Sequence, residues 1–207
     1  MKKHLIQQRS SDWFQLRKGK MTGTTLKAIM GTPKARQEAM YDIIAERLTV
    51  GVKDEENYEN AMDRGTRLEP EAVAVFEFET GKKCESIGLC EDDDNSQIAN
   101  SPDSYIADTD DTEALEIKCP EGKNYVKFWL TNEIPDDYEW QVVQYFVPNK
   151  KLKLLNFFMY NPDIPVHPFH LIVVKREDIA EKIEKARKSQ IEFLKEVEEK
   201  LSKVITL

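Results

Sequence analysis

The sequence predicts an α/β domain with a mixed central sheet, flanked by helices and followed by a long C-terminal helix. Three observations carry this prediction. Apolar residues recur with helical spacing up to residue 80, and with a period of two in the short segments that follow. From residue 179 to residue 204 a 3.6-residue period returns without interruption. Helical and strand segments mixed along one chain are typical of α/β and α+β proteins.

Two short helical turns are predicted near the start of the chain, each beginning at a polar capping residue. The first ends at Arg17 and begins at a cap on Ser11 or Asp12. The second ends near residue 31, and either Thr22 or Thr24 caps it. Each pair of alternatives stays open, because both members have a side-chain oxygen that can accept a backbone hydrogen bond.

Longer helices are predicted over 35–48 and 61–80, separated by a polar loop over 51–60. Pro70 marks either a kink or a first helical position, and Gly81 is the expected stop. The later elements are predicted as strands over 84–90, 98–101, 105–108 and 114–119, helices over 122–132 and 137–147, and strands over 152–160 and 169–175.

Composition sets the broad class. The 207 residues are 40% hydrophobic and 33% charged, which predicts one domain spanning 1–207 with an ordinary core. No apolar run approaches the ~20 residues of a membrane span, and the first residues lack a secretory signal. Three cysteines form no C-x-x-C pair, which favours reduced thiols and a cytoplasmic location. Collagen, membrane-spanning, small secreted and disordered classes are excluded.

The formal net charge of -8 argues, taken alone, against a nucleic-acid partner, because such partners usually leave a basic footprint. Net charge averages over all faces, however, and a site that collects a divalent cation needs local acid. Acidic residues are concentrated in 91–94 and 108–113.

The most informative stretch is Pro102-Asp103 followed by Glu116-Ile117-Lys118. On a strand over 114–119, Glu116 and Lys118 share one face while the apolar residues occupy the other. A hairpin through 108–111 would return Glu116 to the side of Asp103, and two carboxylates beside an amine fit Mg²⁺-assisted phosphodiester hydrolysis. From spacing alone, an exposed strand pair with an ordinary Glu-Lys contact is an equally good interpretation.

The pattern P-D-x12-E-I-K resembles the active-site signature of the PD-(D/E)xK nuclease superfamily. In order along the chain, W-x3-R with M-T-G-T-T, R-G-T-R-L-E-P-E-A, N-S-P-D-S, L-E-I-K-C-P and Y-E-W-Q resemble the phage lambda exonuclease (YqaJ-type recombinase) family. This resemblance spans residues 11 to 146 and continues more faintly to the C-terminal helix. It implies a restriction-endonuclease-like core.

The resemblance also implies a role for each matching residue. Asp103 and Glu116 would bind the metal with the backbone carbonyl of Ile117, and Lys118 would be the catalytic amine. Glu69 would support a second ion through water, so that two Mg²⁺ ions (or Mn²⁺) would occupy each site. Read without the family, Glu69 is an ordinary solvated helix acid.

A pocket for a 5'-terminal phosphate is implied at four residues, namely Arg17, Thr24, Ser101 and Gln141. Tyr138 lies on the same helical face as Gln141 and would contact DNA, or else be a core aromatic residue. Met62 would wedge the terminal base pair, and Lys34 would reach into the duplex; both are weaker correspondences. Where the family usually has glycine after the P-D pair, this chain has Ser104, so the resemblance does not fix the geometry of the turn at this point.

Taken together, the resemblance implies a Mg²⁺-dependent 5'-to-3' exonuclease on linear double-stranded DNA. It would release 5'-mononucleotides and leave 3' tails for annealing by a partner single-strand annealing protein. A homotrimeric ring in a bacterial cytoplasm is implied as well. A structure- or sequence-specific endonuclease and a non-catalytic DNA-end-binding module are the alternatives. Cys84, Cys90 and Cys119 are expected to be packed thiols, and His167 to His170 a turn.

Overall fold

The structure, a computed structural model, describes residues 1–50 and 61–206, and the side chains of 61–63 lie outside that description. The loop predicted over 51–60 therefore falls outside the described residues. The N-terminal elements are strand β1 (Lys2–His4) and helices α1 (Ser11–Arg17), α2 (Gly23–Met30), α3 (Pro33–Leu48) and α4 (Ala61–Thr80).

Helix starts differ from the predictions by one or two residues. The cap of α1 is Ser10, whose side chain accepts from the Trp13 N–H, so the prediction of Ser11 or Asp12 is wrong by at least one position. Thr22 precedes α2 as predicted, although its side chain makes no capping hydrogen bond. In α3, Thr32 caps and Pro33 takes the first helical position, where a missing N–H costs nothing.

Helix α4 has the predicted bounds and passes through Pro70 without ending there. Pro70 is therefore not a first helical position. The helix ends at Gly81, whose φ of +70° lies in the left-handed region that glycine adopts without strain.

The strands form two sheets. Their bounds are β2 (Cys84–Glu85), β3 (Leu89–Glu91), β4 (Ala99–Asn100), β5 (Ser104–Ile106), β6 (Glu113–Lys118), β7 (Leu154–Tyr160) and β8 (Phe169–Lys175). Among the described residues, the smaller sheet has the order β1-β3-β4 and the central sheet the order β2-β5-β6-β7-β8. Strands β6 and β7 are parallel and the other neighbours are antiparallel, so the central sheet is mixed as predicted.

The predicted strand over 84–90 is two strands in different sheets, and Gly88 explains the break. A Cβ atom on Gly88 would lie 2.3 Å from the Ile6 carbonyl oxygen, so only glycine allows this approach. The Gly88 N–H donates to the His4 carbonyl at 3.1 Å. Before this point β2 pairs with β5 in the central sheet, and after it β3 pairs with β1 in the smaller sheet.

Two helices connect the parallel strands, α5 (Gly122–Thr131) and α6 (Asp136–Phe146), and α7 (Ala180–Ile205) follows β8. Half of the predicted α7 stripe is buried, namely Ile183, Ala186, Leu194 and Val197. Ile191 and Val204 are 37% and 52% exposed, so these two are not core residues. The histidine motif is only partly a turn, because His170 lies in β8. His167 closes a turn to Ile164 and stacks on Trp129.

The core has two clusters. In the second cluster, Leu115, Ile117 and Cys119 of the β6 region pack with α4 residues, among them Ala72 and Phe76. Strand β6 thus turns its apolar residues towards α4, and Glu116 lies on the opposite side, as the alternation predicted. Cys90 and Cys119 are buried and Cys84 is half-buried, all as free thiols. Over the described part of the chain, no helix combines the length and the apolar character needed to cross a bilayer.

Candidate active site

A β-hairpin brings the two predicted carboxylates together. Strands β5 and β6 pair antiparallel with Ser104 opposite Leu115, and the reversal uses three aspartates with positive φ, Asp108, Asp110 and Asp111. Asp103 lies directly before β5. One oxygen of its carboxylate, Oδ2, accepts from the Ile117 backbone N–H at 2.7 Å. Ser104 starts β5 and causes no break after the Pro-Asp pair.

Glu116 is 1% exposed and its charge is compensated by two donors. Its Oε1 accepts from the Lys118 ammonium and its Oε2 accepts from the Tyr145 hydroxyl. A buried carboxylate without such partners would cost several kcal/mol. The contact between Glu116 and Lys118 is therefore a buried one, which removes the alternative of an exposed strand pair.

The environment shifts the pKa values of the site. Burial raises the pKa of Asp103 well above its usual value, and the neighbouring Glu116 carboxylate raises it further. Burial on its own would lower the pKa of Lys118, but the charges of Glu116 and Asp103 outweigh this and raise it. The pKa of Glu69 is raised by burial, with the charge of Arg9 opposing. A bound divalent cation would act against these carboxylate shifts.

A cleft of about 580 Å³ opens over these residues. It is lined by Arg9, Arg64, Gly65, Thr66, Glu69, Asp103, Ile117, Lys118, Cys119, Pro120, Glu121, Asn124, Tyr138 and Gln141. The predicted catalytic residues Asp103, Lys118 and Glu69 thus share one cavity with Tyr138 and Gln141. Its volume is within the usual range of small-molecule sites.

Glu69 reaches the cleft from α4 and pairs with Arg9, whose guanidinium nitrogen lies 3.6 Å from the Glu69 carboxylate. Arg9 has a φ of 63°, a conformation that L residues rarely adopt. Its loop is tied down by the Gln8 side chain, which donates to the carbonyl of Pro102 at 2.7 Å. The residue before Asp103 is therefore joined directly to the loop that carries Arg9.

The four residues predicted for the terminal phosphate surround the start of α2. A Cβ atom on Gly23 would be 3.2 Å from Cγ of Gln141, so α2 and α6 meet closely at this point. Arg17 donates to the Thr22 hydroxyl at 3.3 Å, and its guanidinium lies over the ring of Trp13. Thr24 is exposed in the first turn of α2.

Ser101 follows β4, and its buried hydroxyl has no hydrogen-bond partner among the described residues. Strand β4 is joined to the start of α2, because the Ala99 N–H donates to the Met21 carbonyl at 2.8 Å. A buried donor without a partner is costly, and a ligand oxygen would relieve that cost.

Tyr138 lies at the junction of the two predicted subsites. The Lys118 ammonium is 5.4 Å from the centre of the Tyr138 ring, and Tyr138 lines the cleft with Gln141. Lys34 is exposed in the first turn of α3 and is not among the residues that line the cleft. The side chain of Met62 lies outside the described residues, so its predicted position is not tested.

The donor set fits a magnesium ion. Within the described ranges, no group of three or more His, Cys, Asp or Glu side chains is arranged to hold a metal. The groups that could hold an ion here are the carboxylates of Asp103 and Glu116, together with the backbone carbonyl oxygen of Ile117 that the family resemblance implies. Mg²⁺ keeps several waters and is usually bound by one or two carboxylates together with substrate phosphates.

Three residues of the site were missed by the sequence analysis. Tyr145 could have been found from its helical spacing, since it follows Gln141 by four residues and Tyr138 by seven. Arg9 lies outside the motifs quoted above, whereas Arg64 opens the R-G-T-R-L-E-P-E-A motif and was given no role. Arg64 donates to Asp163 at 2.9 Å, and its buried Nε has no partner among the described residues.

A mixed sheet that brings two carboxylates and a lysine together beside a cleft fits the fold of alkaline exonucleases, as the structural comparisons show. The fold matches the crystal structure of an alkaline exonuclease from Laribacter hongkongensis with a TM-score of 0.85 and 26% identity, over 95% of this chain and 97% of that one. The chain belongs to the YqaJ-like viral recombinase domain family, whose model matches residues 12–147.

Two further solved structures are similar. The Laribacter exonuclease in complex with dAMP matches with a TM-score of 0.84 and 27% identity, over 94% of this chain and 96% of that one. A phage-related exonuclease from Haemophilus somnus 129PT matches with a TM-score of 0.64 and 14% identity, over 89% and 96%, which shows a shared fold alone. No curated protein matches the chain.

Proposed function

We propose that this protein is a Mg²⁺-dependent exonuclease that degrades linear double-stranded DNA from 5' to 3'. It releases 5'-mononucleotides and leaves 3' single-stranded tails for recombination by strand annealing. The observation that carries the proposal is the buried group of Asp103, Glu116 and Lys118 at a cleft that also receives Gln141. Family membership and the similarity to alkaline exonucleases support a nuclease acting on DNA.

In this proposal Asp103 and Glu116 hold the metal, with the Ile117 carbonyl as a further ligand. The bound ions supply a nucleophile at neutral pH and stabilise charge on the scissile phosphate. Lys118 orients the attacking water or takes its proton, and its charge stabilises the developing negative charge. Glu69 supports a second ion through water, and Mn²⁺ substitutes for Mg²⁺.

Recognition of a 5'-phosphate end is assigned to Arg17, Thr24, Ser101 and Gln141. A guanidinium, two hydroxyls and an amide are donors suited to a terminal phosphate dianion. The buried Ser101 hydroxyl and the close contact between Gly23 and Gln141 support a preformed pocket at this point. Tyr138 contacts the DNA between this pocket and the carboxylates. The roles of Met62 as a wedge and Lys34 as a duplex contact remain the weakest assignments.

The wider organisation is proposed on the same family basis. Residues 1–207 form one nuclease domain, three copies close into a ring around DNA, and an annealing protein receives the 3' tail in the bacterial host cytoplasm. A ring would reconcile the net charge of -8 with DNA binding, because basic residues would line the channel while acids face outward. The Laribacter exonuclease is described in complex with dAMP, a mononucleotide of the product class proposed.

The test is product analysis on three forms of one duplex in Mg²⁺. A linear duplex with 5'-phosphate ends, the same duplex with 5'-hydroxyl ends and a covalently closed circle are compared. We expect mononucleotides from the phosphorylated duplex, slower release from the hydroxyl ends and an intact circle. Nicking of the circle would indicate an endonuclease on the same catalytic core instead of an exonuclease. Binding of ends without any product would instead indicate an end-binding module.

A further inference from the structure

Tyr145 is the buried residue that touches both members of the carboxylate pair. Its hydroxyl donates to Oε2 of Glu116 and lies 3.0 Å from the Asp103 backbone N–H, which donates to it. The same hydroxyl is 3.2 Å from the Leu115 carbonyl. Tyr145 is 1% exposed, so water does not compete for these bonds. One oxygen atom therefore joins the start of β5, the middle of β6 and helix α6.

The hydrogen-bonding capacity of a phenol decides how these contacts are shared. A tyrosine hydroxyl has one proton to donate and lone pairs to accept. The Asp103 N–H occupies a lone pair, which leaves the proton for Glu116 or Leu115. Glu116 is the stronger acceptor because it is an ionised carboxylate, whereas the Leu115 oxygen is a neutral backbone carbonyl. The proton therefore goes to Glu116.

The two carboxylates are consequently fixed in different ways. Glu116 has one oxygen held by Lys118 and the other by Tyr145. Asp103 has its backbone held by Tyr145 and its Oδ2 held by the Ile117 N–H, while Asp103 itself lines the cleft. Since a carboxylate oxygen can accept more than one bond, Asp103 keeps acceptor capacity towards the cavity, and Glu116 keeps lone pairs beside it.

Helix α6 holds Tyr145 in place through contacts that do not involve the site. Val142, Val143 and Phe146 are buried in the main core, and Gln144 donates to the Ala99 carbonyl at 2.8 Å. The core packing of α6 therefore holds the tyrosine ring in place. The hydrogen bonds of its hydroxyl then fix the positions of the two carboxylates relative to this helix.

We propose that Tyr145 is a positioning residue that sets the spacing of the Asp103 and Glu116 carboxylates and thereby the affinity of the site for a divalent cation. This rests on the proposed function in that the carboxylate pair is taken as the metal site. Residues that hydrogen-bond to metal ligands and orient them typically contribute 10- to 100-fold to metal affinity. Tyr145 is expected to act through Glu116 and Asp103 without touching substrate.

The test is Mn²⁺ binding to the full chain without DNA, measured by electron paramagnetic resonance and calorimetry. Tyr145→Phe removes one oxygen and keeps the ring, and we expect its Mn²⁺ dissociation constant to rise about 10- to 100-fold. Tyr125→Phe is the matched control. Tyr125 is also 1% exposed, but its hydroxyl donates to the His167 carbonyl. A purely structural role would lower the melting temperature without changing Mn²⁺ affinity of the folded protein.

The outcomes separate this inference from the function on which it rests. Equal Mn²⁺ affinity in the unaltered chain and in Tyr145→Phe would overturn the positioning role and leave the metal site standing. Absence of Mn²⁺ binding in the unaltered chain would overturn both. If kcat at saturating Mn²⁺ recovers in Tyr145→Phe while half-saturation needs more metal, the positioning role is supported.

A second measurement covers the case in which Tyr145→Phe does not fold. Fluorotyrosine is incorporated into a Tyr138→Phe chain, which keeps the Tyr145 hydroxyl and removes the tyrosine that lines the cleft. Addition of Mg²⁺ should shift one fluorine resonance well beyond the others. A spectrum in which no resonance responds, in a chain that binds Mn²⁺, would overturn the inference.

Discussion

A buried pair of amides allows a quantitative test of how the site is supported. Gln144 on α6 and Gln190 on α7 are both 0% exposed, and Gln190 Nε2 donates to Gln144 Oε1 at 2.7 Å. Gln144 in turn donates to the Ala99 carbonyl, two residues before Ser101. We expect Gln144→Leu to destabilise the fold strongly although leucine has a similar size.

The expected loss of unfolding free energy follows from the hydrogen-bonding groups that Gln144→Leu leaves without a partner. The substitution strands the Gln190 amide, which costs about 1–3 kcal/mol when buried, and removes the bond to Ala99, worth about 1 kcal/mol. The expected loss of unfolding free energy is thus about 2–4 kcal/mol. Gln190→Leu should cost less, since it also removes the Gln190 Oε1, which already has no partner among the described residues. The double variant should recover part of the loss, because it leaves no stranded Gln190 amide.

Urea unfolding of the wild type, both single variants and the double variant gives the coupling free energy. We expect a coupling of at least about 1 kcal/mol, which is within the range for residues in direct contact. If the two losses add to within about 0.5 kcal/mol, the amides are not energetically linked and the reasoning is refuted.

Three further predictions concern catalysis, end recognition and pH. Lys118→Ala should abolish product while Mn²⁺ and DNA binding persist; retained turnover would contradict the role of the amine. Arg17→Ala should slow digestion of 5'-phosphorylated ends about 10- to 100-fold and hydroxyl ends far less, and equal losses would count against the phosphate pocket. Glu91 has a lowered pKa, because its hydrogen bonds to Lys20 and His4 outweigh the opposing effect of burial. The stabilisation of the fold by the Glu91 carboxylate is therefore complete above the pKa that this group has in the unfolded chain. It is lost as the pH falls through the lower pKa of the folded protein. Urea titrations of Glu91→Gln should accordingly show a loss of about 1–3 kcal/mol at pH 7 that shrinks below about pH 4.5, and a loss independent of pH would contradict the assignment.

The sequence predicted what depends on local periodicity. The faces of β6 were confirmed because alternation fixes which side of a strand Glu116 occupies. The bounds of α4 were confirmed because Gly81 is a strong local stop. The cap of α1 was missed because neighbouring polar residues share the same propensity, and only the backbone path shows that Ser10 makes the bond.

Other features depend on contacts between distant parts of the chain. Nothing near Gly88 in the sequence reveals that Ile6 lies against it and that the strand must change sheets there. Helical spacing places Tyr145 on the same face as Tyr138 and Gln141, but its contacts with Asp103 and Glu116 were not predictable, because these residues lie on a hairpin far from α6 in sequence. In both cases a tertiary approach decides the outcome, and local propensity carries no information about it.

Helix α6 places Tyr138 and Gln141 in the cleft and Tyr145 behind the carboxylates, all within two turns of one rigid element. Four residues of helix span about 6 Å, so the interval from Gln141 to Tyr145 is fixed by backbone hydrogen bonds. Under the proposed function, end capture and bond cleavage are therefore coupled through the position of this helix. A change that tilts or shifts α6 is expected to alter both at once, whereas changes in α1, α2 or the loop that carries Arg9 leave the carboxylate support in place.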